Sequence, residues 1–278
     1  MLTSMPQGRE TAATRTAAVA SHAMSGLGAS IGWGLLIGAS LLAGALLAAA
    51  IKLPARVAAV LTAFGGGILF AAVALELVPE ADREAGVPLT VIGLLAGTLV
   101  YVGADAWLNR DASMKAMRRA SHAAAAGEAM TPPDGDAEAA RGESIAVGLV
   151  VDGVPESLAL GLMIADGEIG LALLAGVVVG NLVESYGAAQ PIVAGGHSRR
   201  FAIGLLGGIG VVLALATIIG AAVLAGSSPA FIGTAQAGAA GAVLAVVSIS
   251  IVPHAFNEVS GAAAVATVLG FIVGYVLS

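Results

Sequence analysis

Asp152 and Glu156 stand four residues apart within IAVGLVVDGVPESLALGLMIA, residues 145–165. On a helix that spacing stacks both carboxylates on one face. Pro155 lies between them and lacks a backbone N–H, so the carbonyl of Val151 loses its usual helical partner. Gly153 and Ser157 keep the surroundings small. The next apolar stretch, 169–194, repeats the device: GNLVESYG sets Asn181 and Glu184 three apart, again on one helical face. Three acids, an amide and a freed carbonyl make an oxygen-rich patch suited to a cation or to protons. Acids at bilayer depth are costly, so an intramembrane acid marks function by default. The competing account is a protonated acid hydrogen-bonded to a neighbouring helix. It serves one isolated residue better than three on two successive helices.

The surrounding chain fits that setting. Hydrophobic residues make up 58% of the 278 and charged residues 11%, whereas a soluble domain carries about a quarter charged residues. The 39 glycines suit closely packed transmembrane helices. There is no cysteine, which excludes thiolate metal sites, disulfides and a cysteine nucleophile. Apolar runs at 27–51, 57–78, 87–108, 144–165, 169–194, 201–225, 231–254 and 260–278 are each near the roughly 20 residues that cross a bilayer. The first is longer than the roughly 7–15 residues of a signal-peptide core and reads as a retained span. The expected fold is an all-α integral membrane protein of eight transmembrane helices. Residues 1–25 form a polar tail, 26–108 hold helices 1–3, 109–143 form a flexible cytoplasmic loop broken by Pro-Pro-Asp-Gly, 144–194 hold helices 4–5 with the site, and 195–278 hold helices 6–8.

Residues 67–84, GILFAAVALELVPEADRE, align without gaps on 241–258, GAVLAVVSISIVPHAFNE, matching Pro79 with Pro253 and Glu84 with Glu258. With spans 2 and 7 running in opposite directions this is an inverted repeat, an arrangement common in transporters. Glu76 near the end of span 2, Glu80 one turn beyond, and His254 at the end of span 7 are candidate pathway or relay groups. Glu80 also fits a solvated helix end and His254 an interfacial histidine. Asp105 reads as an interface charge, and His22, His122 and His197 as solvated loop histidines. Trp33, Trp107 and Tyr101 read as anchors or packing residues.

Together these features resemble the ZIP family, the zinc/iron-regulated-transporter-like carriers of divalent metals. That family has eight spans in a 3+2+3 arrangement, outside termini and a long loop after span 3. Its span-4 motif, His-Asn-x-Pro-Glu-Gly, is similar to Asp152-Gly153-Val154-Pro155-Glu156-Ser157, and its span-5 motif to Gly180-Asn181-Leu182-Val183-Glu184-Ser185. Glu76-Leu77-Val78-Pro79-Glu80-Ala81 is similar to the family's His-Leu-Leu-Pro-Glu-Ala, and Ile251-Val252-Pro253-His254 stands where a proline and a glutamate are usual. The chain departs from the pattern at Asp152, Gly153 and Gly180, and span 6 offers no acid. The resemblance therefore implies one metal rather than two, held by Asp152, Glu156, Asn181 and Glu184. Ser157 and Ser185 lie beside that set and Glu76, Glu80 and His254 towards its two ends.

The expected function is membrane transport of divalent cations, with zinc, manganese or iron as substrate. No organic cofactor, nucleic acid or enzymatic reaction is expected: the chain has no phosphate loop, and its partners are the cation, the lipid bilayer and, left open, a second copy in a homodimer. Two alternatives remain open, a proton- or organic-solute-coupled carrier on the same scaffold and a non-transporting membrane sensor. Oxygen-only ligands suit the harder ions Mn²⁺, Mg²⁺ or Ca²⁺, with Fe²⁺ at the border, better than an imidazole site would. Nine of the twelve Lys and Arg residues fall between spans 1 and 2, 3 and 4, or 5 and 6, which places both termini outside and the long loop in the cytoplasm. Because the chain has no cysteine, Ser121→Cys, Ser198→Cys and Ser228→Cys test this directly. In intact cells an impermeant thiol reagent should label only Ser228→Cys. Labelling of Ser198→Cys instead overturns the orientation.

Overall fold

In a computed structural model the described residues are 12–108, 139–165, 170–194, 197–224 and 227–278. Side chains are described for these except 12–27, 55, 108, 139–148, 165, 190–191, 194, 223–224, 250–254, 256–258 and 260. The helices are α1 (Ala12–Ala50), α2 (Ala55–Ala72), α3 (Val78–Leu108), α4 (Ala139–Ala165), α5 (Leu171–Ala194), α6 (Arg199–Leu224), α7 (Pro229–Val246) and α8 (Val252–Leu277). Two π-helical segments, Val73–Leu77 and Val247–Ile251, join α2 to α3 and α7 to α8. Among the described residues there is no strand.

The fold is thus all-α, as expected. Five helical stretches are long and apolar enough to cross a membrane: Gly28–Ala50, Arg56–Trp107, Leu171–Ala189, Arg199–Ala222 and Pro229–Ile249. Large apolar side chains, among them Leu35, Leu95, Leu99, Val211 and Val276, lie exposed on the outside of the bundle. A surface of that kind suits lipid and not water. These are the features of a multi-pass membrane protein.

Helix ends follow local chemistry. Gly86 has φ 75°, among the described residues the single glycine in the left-handed region, and Pro88 follows it. The backbone turns there, at the boundary expected between the second and third apolar runs. Ser228 caps α7 by accepting from the N–H of Phe231, with Pro229 in the first helical turn. Helix α1 begins at Ala12, inside the stretch read from sequence as a tail. Of the loop 109–143, residues 109–138 lie outside the described residues and the rest belongs to α4.

Glycines set how closely the helices approach. Gly34 faces the backbone of Ala214 and Gly38 that of Gly210, so α1 and α6 run antiparallel. Gly153 meets Leu213, and Gly161 meets Thr217 and Ala221, so α4 and α6 run parallel. Gly65 faces Val179 and Gly180, and Gly176 faces Leu69, so α2 and α5 are antiparallel. Gly93 and Gly97 lie against 234–238 of α7, and Thr98 donates to the carbonyl of Gly241 at 3.0 Å. Gly67, Gly270 and Gly274 do the same between α2 and α8. The principal pairings are α3 with α7, α2 with α8, α1 with α6, α4 with α6 and α1 with α5. In the gapless alignment of 67–84 on 241–258, Val73–Leu77 falls on Val247–Ile251. The two π-helical segments thus coincide residue for residue.

A Cβ at Gly97 runs into the carbonyl of Gly238, a backbone atom that cannot turn aside. Gly97→Ala should destabilise the protein in detergent by about 1–3 kcal/mol through overpacking. A Cβ at Gly103 meets nothing within 4 Å, so Gly103→Ala should be neutral or gain up to about 1 kcal/mol from helix propensity. Equal unfolding temperatures for the two variants contradict the packing described.

Candidate cation site

Helices α4 and α5 are neighbours in the centre of the bundle, α4 held by α6 and α5 by α1 and α2. The acids expected from sequence sit on the facing pair. Asp152 is 2% exposed, Glu156 5% and Asn181 2%, while Glu184 is half-buried. Glu156 lies within electrostatic reach of both Glu184 and Asp152. Glu156 is thus the acid that links the two helices electrostatically.

The acids have supports that no motif marks. The hydroxyl of Tyr101, on α3, donates to Oδ1 of Asp152 at 2.6 Å. Tyr101 is buried and so more than a packing residue or an interfacial anchor. Its sequence signal was only a polar-tipped aromatic in a lipid-length run. Ser185 is buried and donates to the carbonyl of Leu41 at 2.5 Å, which ties α5 to α1. The N–H of Leu53 donates to the Tyr186 hydroxyl at 2.5 Å, closing the turn after α1 against the same helix. Two polar atoms beside the acids have no hydrogen-bond partner: Oγ of Ser157 and Nδ2 of Asn181. Of the two serines beside the acids, Ser185 thus serves the fold and Ser157 keeps a free hydroxyl.

Two of the candidates towards the ends make structural contacts. Glu76 accepts from the backbone N–H groups of Ala172 and Leu173, each at 3.0 Å. Its carboxylate therefore holds the N-terminus of α5, where unpaired N–H groups and the helix dipole favour an anion. Glu80 is buried and ion-paired with the exposed Arg83 one turn on, so it is not a solvated end residue. His254 lies on α8, but its side chain is outside the described residues. His197 is not simply solvated: its ring stacks on Phe201 with centroids 4.4 Å apart. Among the described residues, no three His, Cys, Asp or Glu side chains close in on one point as a metal cage. The acids are linked through Glu156, with Asp152 engaged by Tyr101. No protein-family model and no curated protein matches the chain.

The Tyr101–Asp152 bond carries a checkable energy. Tyr101→Phe removes the donor and leaves a buried carboxylate oxygen short of a partner, a loss of about 1.5–3 kcal/mol for a bond to a charged group. In a double-mutant cycle with Asp152→Asn, the two losses should fall short of additivity by about 1 kcal/mol or more. Additive effects rule out the pairing.

Proposed function

We propose that this protein carries divalent metal cations across a membrane through the layer of Asp152, Glu156, Asn181 and Glu184. The observation that carries this reading is the burial of Asp152 and Glu156 in a bundle of apolar helices, with Glu156 within electrostatic reach of Glu184 and Asp152. Carboxylates crowded at low dielectric need a counter-charge, and a divalent cation supplies two. The acids present oxygen atoms only, Asn181 adds an amide, and Pro155 frees the carbonyl of Val151 nearby. The unpartnered N–H of Asn181 suits a water of the ion's hydration shell.

Such an ion draws Asp152 and Glu184 towards Glu156 as it binds. The ion is substrate and no covalent chemistry is involved. Several features support a ZIP-like carrier with eight spans in a 3+2+3 arrangement. The helical run Arg56–Trp107 has 52 residues, about 78 Å of helix, and the turn at Gly86 divides it into two crossings of a core about 30 Å thick. Exchanging helices 1, 2, 3 and 4 with 6, 7, 8 and 5 maps the principal pairings onto one another: α2 with α8 becomes α7 with α3, α1 with α5 becomes α6 with α4, and α1 with α6 is unchanged. The matched π-helical segments obey the same exchange. This is the pattern of an inverted repeat, with transport by rocking of the α4–α5 unit against its neighbours. Termini outside and the 109–143 loop in the cytoplasm follow from the basic residues.

A proton-coupled carrier is the second reading, and the lack of a preformed three-acid cage among the described residues favours it. Glu156→Gln separates the two. It keeps shape and hydrogen bonding but removes the charge, so Mn²⁺-dependent thermal stabilisation and Mn²⁺ uptake into vesicles should both collapse while the variant still folds. Near-normal Mn²⁺ uptake ends the ligand role of Glu156. Wild-type stability that responds to pH and to no divalent cation selects the proton carrier. Asp152→His adds a nitrogen donor and should raise the Zn²⁺/Mn²⁺ uptake ratio; an unchanged or lower ratio removes Asp152 from the selectivity site.

A further inference from the structure

Gln236, on α7, is 0% exposed, and neither its Oε1 nor its Nε2 has a hydrogen-bond partner. Burying an amide without partners costs about 2–7 kcal/mol, so a group of this kind in a folded protein asks for a ligand or water that meets it. Gln236, Ala240, Val243 and Val247 follow a helical spacing along one face and are all fully buried. The last three pack in the main core with Leu160 and Met163 of α4. The adjoining face belongs to α3, where Ala237 meets Gly93. Gln236 therefore sits on the side of α7 turned into the main core, to which α4 contributes Leu160 and Met163.

Its height in the bundle follows from α3. Gly93 packs at Ala237, and Tyr101, eight residues on, binds Asp152. Eight residues are roughly 12 Å of helix. Along the bundle Gln236 thus stands about that far from the level of Asp152, and nearer to that of Glu156, on the side where Glu76 holds the N-terminus of α5 and Gly170 meets Met163. Ser157, on α4 and also with an unpartnered polar atom, lies on the stripe of Gly153 and Gly161 that packs on α6, so it is not part of this face.

We propose that Gln236 is a neutral station on the cation's route, about one helical segment from the acids. Its amide oxygen takes the ion or an ion-bound water, its N–H donates to a further water, and the ion passes on to Glu156 and Asp152. This rests on the transport reading above. A neutral amide holds a hydrated divalent ion weakly enough to hand it on to an anionic layer, whereas a carboxylate there would retain it.

The absence of native cysteine makes the test clean. Gln236→Cys and Ala237→Cys are reconstituted in vesicles and exposed to a cationic methanethiosulfonate reagent from either side. Gln236→Cys should react from one side only, and Mn²⁺ should slow the reaction about tenfold once it exceeds its Kd by that factor. Ala237→Cys, packed against Gly93, should stay unmodified. Gln236→Leu should fold and unfold at the wild-type temperature or above, since the unpaired amide is gone, while Mn²⁺ uptake falls about tenfold or more, the loss of one hydrogen bond to a charged or hydrated ligand. An unreactive Gln236→Cys, a reaction equal to that of Ala237→Cys, or unchanged uptake by Gln236→Leu overturns the station. Reaction without Mn²⁺ protection, in a wild type that still takes up Mn²⁺, sinks the station alone. A wild type with no divalent-cation uptake at all removes both it and the transport reading.

Discussion

A carboxylate buried among apolar helices must find a hydrogen bond or a counter-charge, and much of this architecture can be traced to that demand. The unsolvated group costs several kcal/mol at least. Tyr101 meets part of the cost at Asp152. Glu76 meets its own by taking two N–H groups that the start of α5 would otherwise leave bare. Glu80 takes Arg83. Glu156, which lies between two other carboxylates, faces repulsion as well as burial. That contrast separates acids that hold the fold together from the acid around which a mobile positive charge would be most useful.

The same demand explains the close packing. Water is absent from the hydrocarbon region, so association there depends on van der Waals contact and on a few interhelical hydrogen bonds. Glycine at Gly38, Gly97, Gly161 and Gly270 lets backbone meet backbone. The approach brings Thr98 within reach of a carbonyl on α7 and Ser185 within reach of one on α1. Polar contacts and small residues thus act together: the glycines bring the helices close, and the hydroxyl bonds fix their register.

The helical, lipid-exposed class was legible in composition, and the acid layer in the spacing of Asp152 with Glu156 and of Asn181 with Glu184. Those signals are local, since the helix alone decides which residues share a face. The partners were not legible, because they are set by which helices meet. Nothing near Tyr101 in sequence points to Asp152, 51 residues on. Glu76 looked like a group on a path because it lies in an apolar run, and only the arrival of α5 turns it into a cap. Gln236 was passed over for a related reason: a single amide in an alanine- and glycine-rich helix has no spacing pattern to mark it, and its interest begins with the discovery that nothing pairs with it.

The π-helical segments bring sequence and mechanism together. Each inserts one residue of slack into a helix, each is followed at the second position by a proline (Pro79, Pro253), and the two coincide in the only internal alignment the chain offered. Alanine-rich sequence matches itself readily, so the alignment by itself weighed little. A proline inside a helix removes one i→i−4 bond, so the aligned prolines give both segments one physical cause, and the shared irregularity shows that the matched residues act alike in the fold. Extra residues of this kind leave a backbone group without its regular partner and recur at functional sites. Here the first lies in the crossing that ends at the Gly86 turn, the second stands before α8, and α3 and α8 are exchanged by the same operation that exchanges α4 with α5. Because Tyr101 rides on α3 and grips Asp152, motion of that helix would alter the acid layer directly. The layer's hydration and its oxygen geometry would then change together.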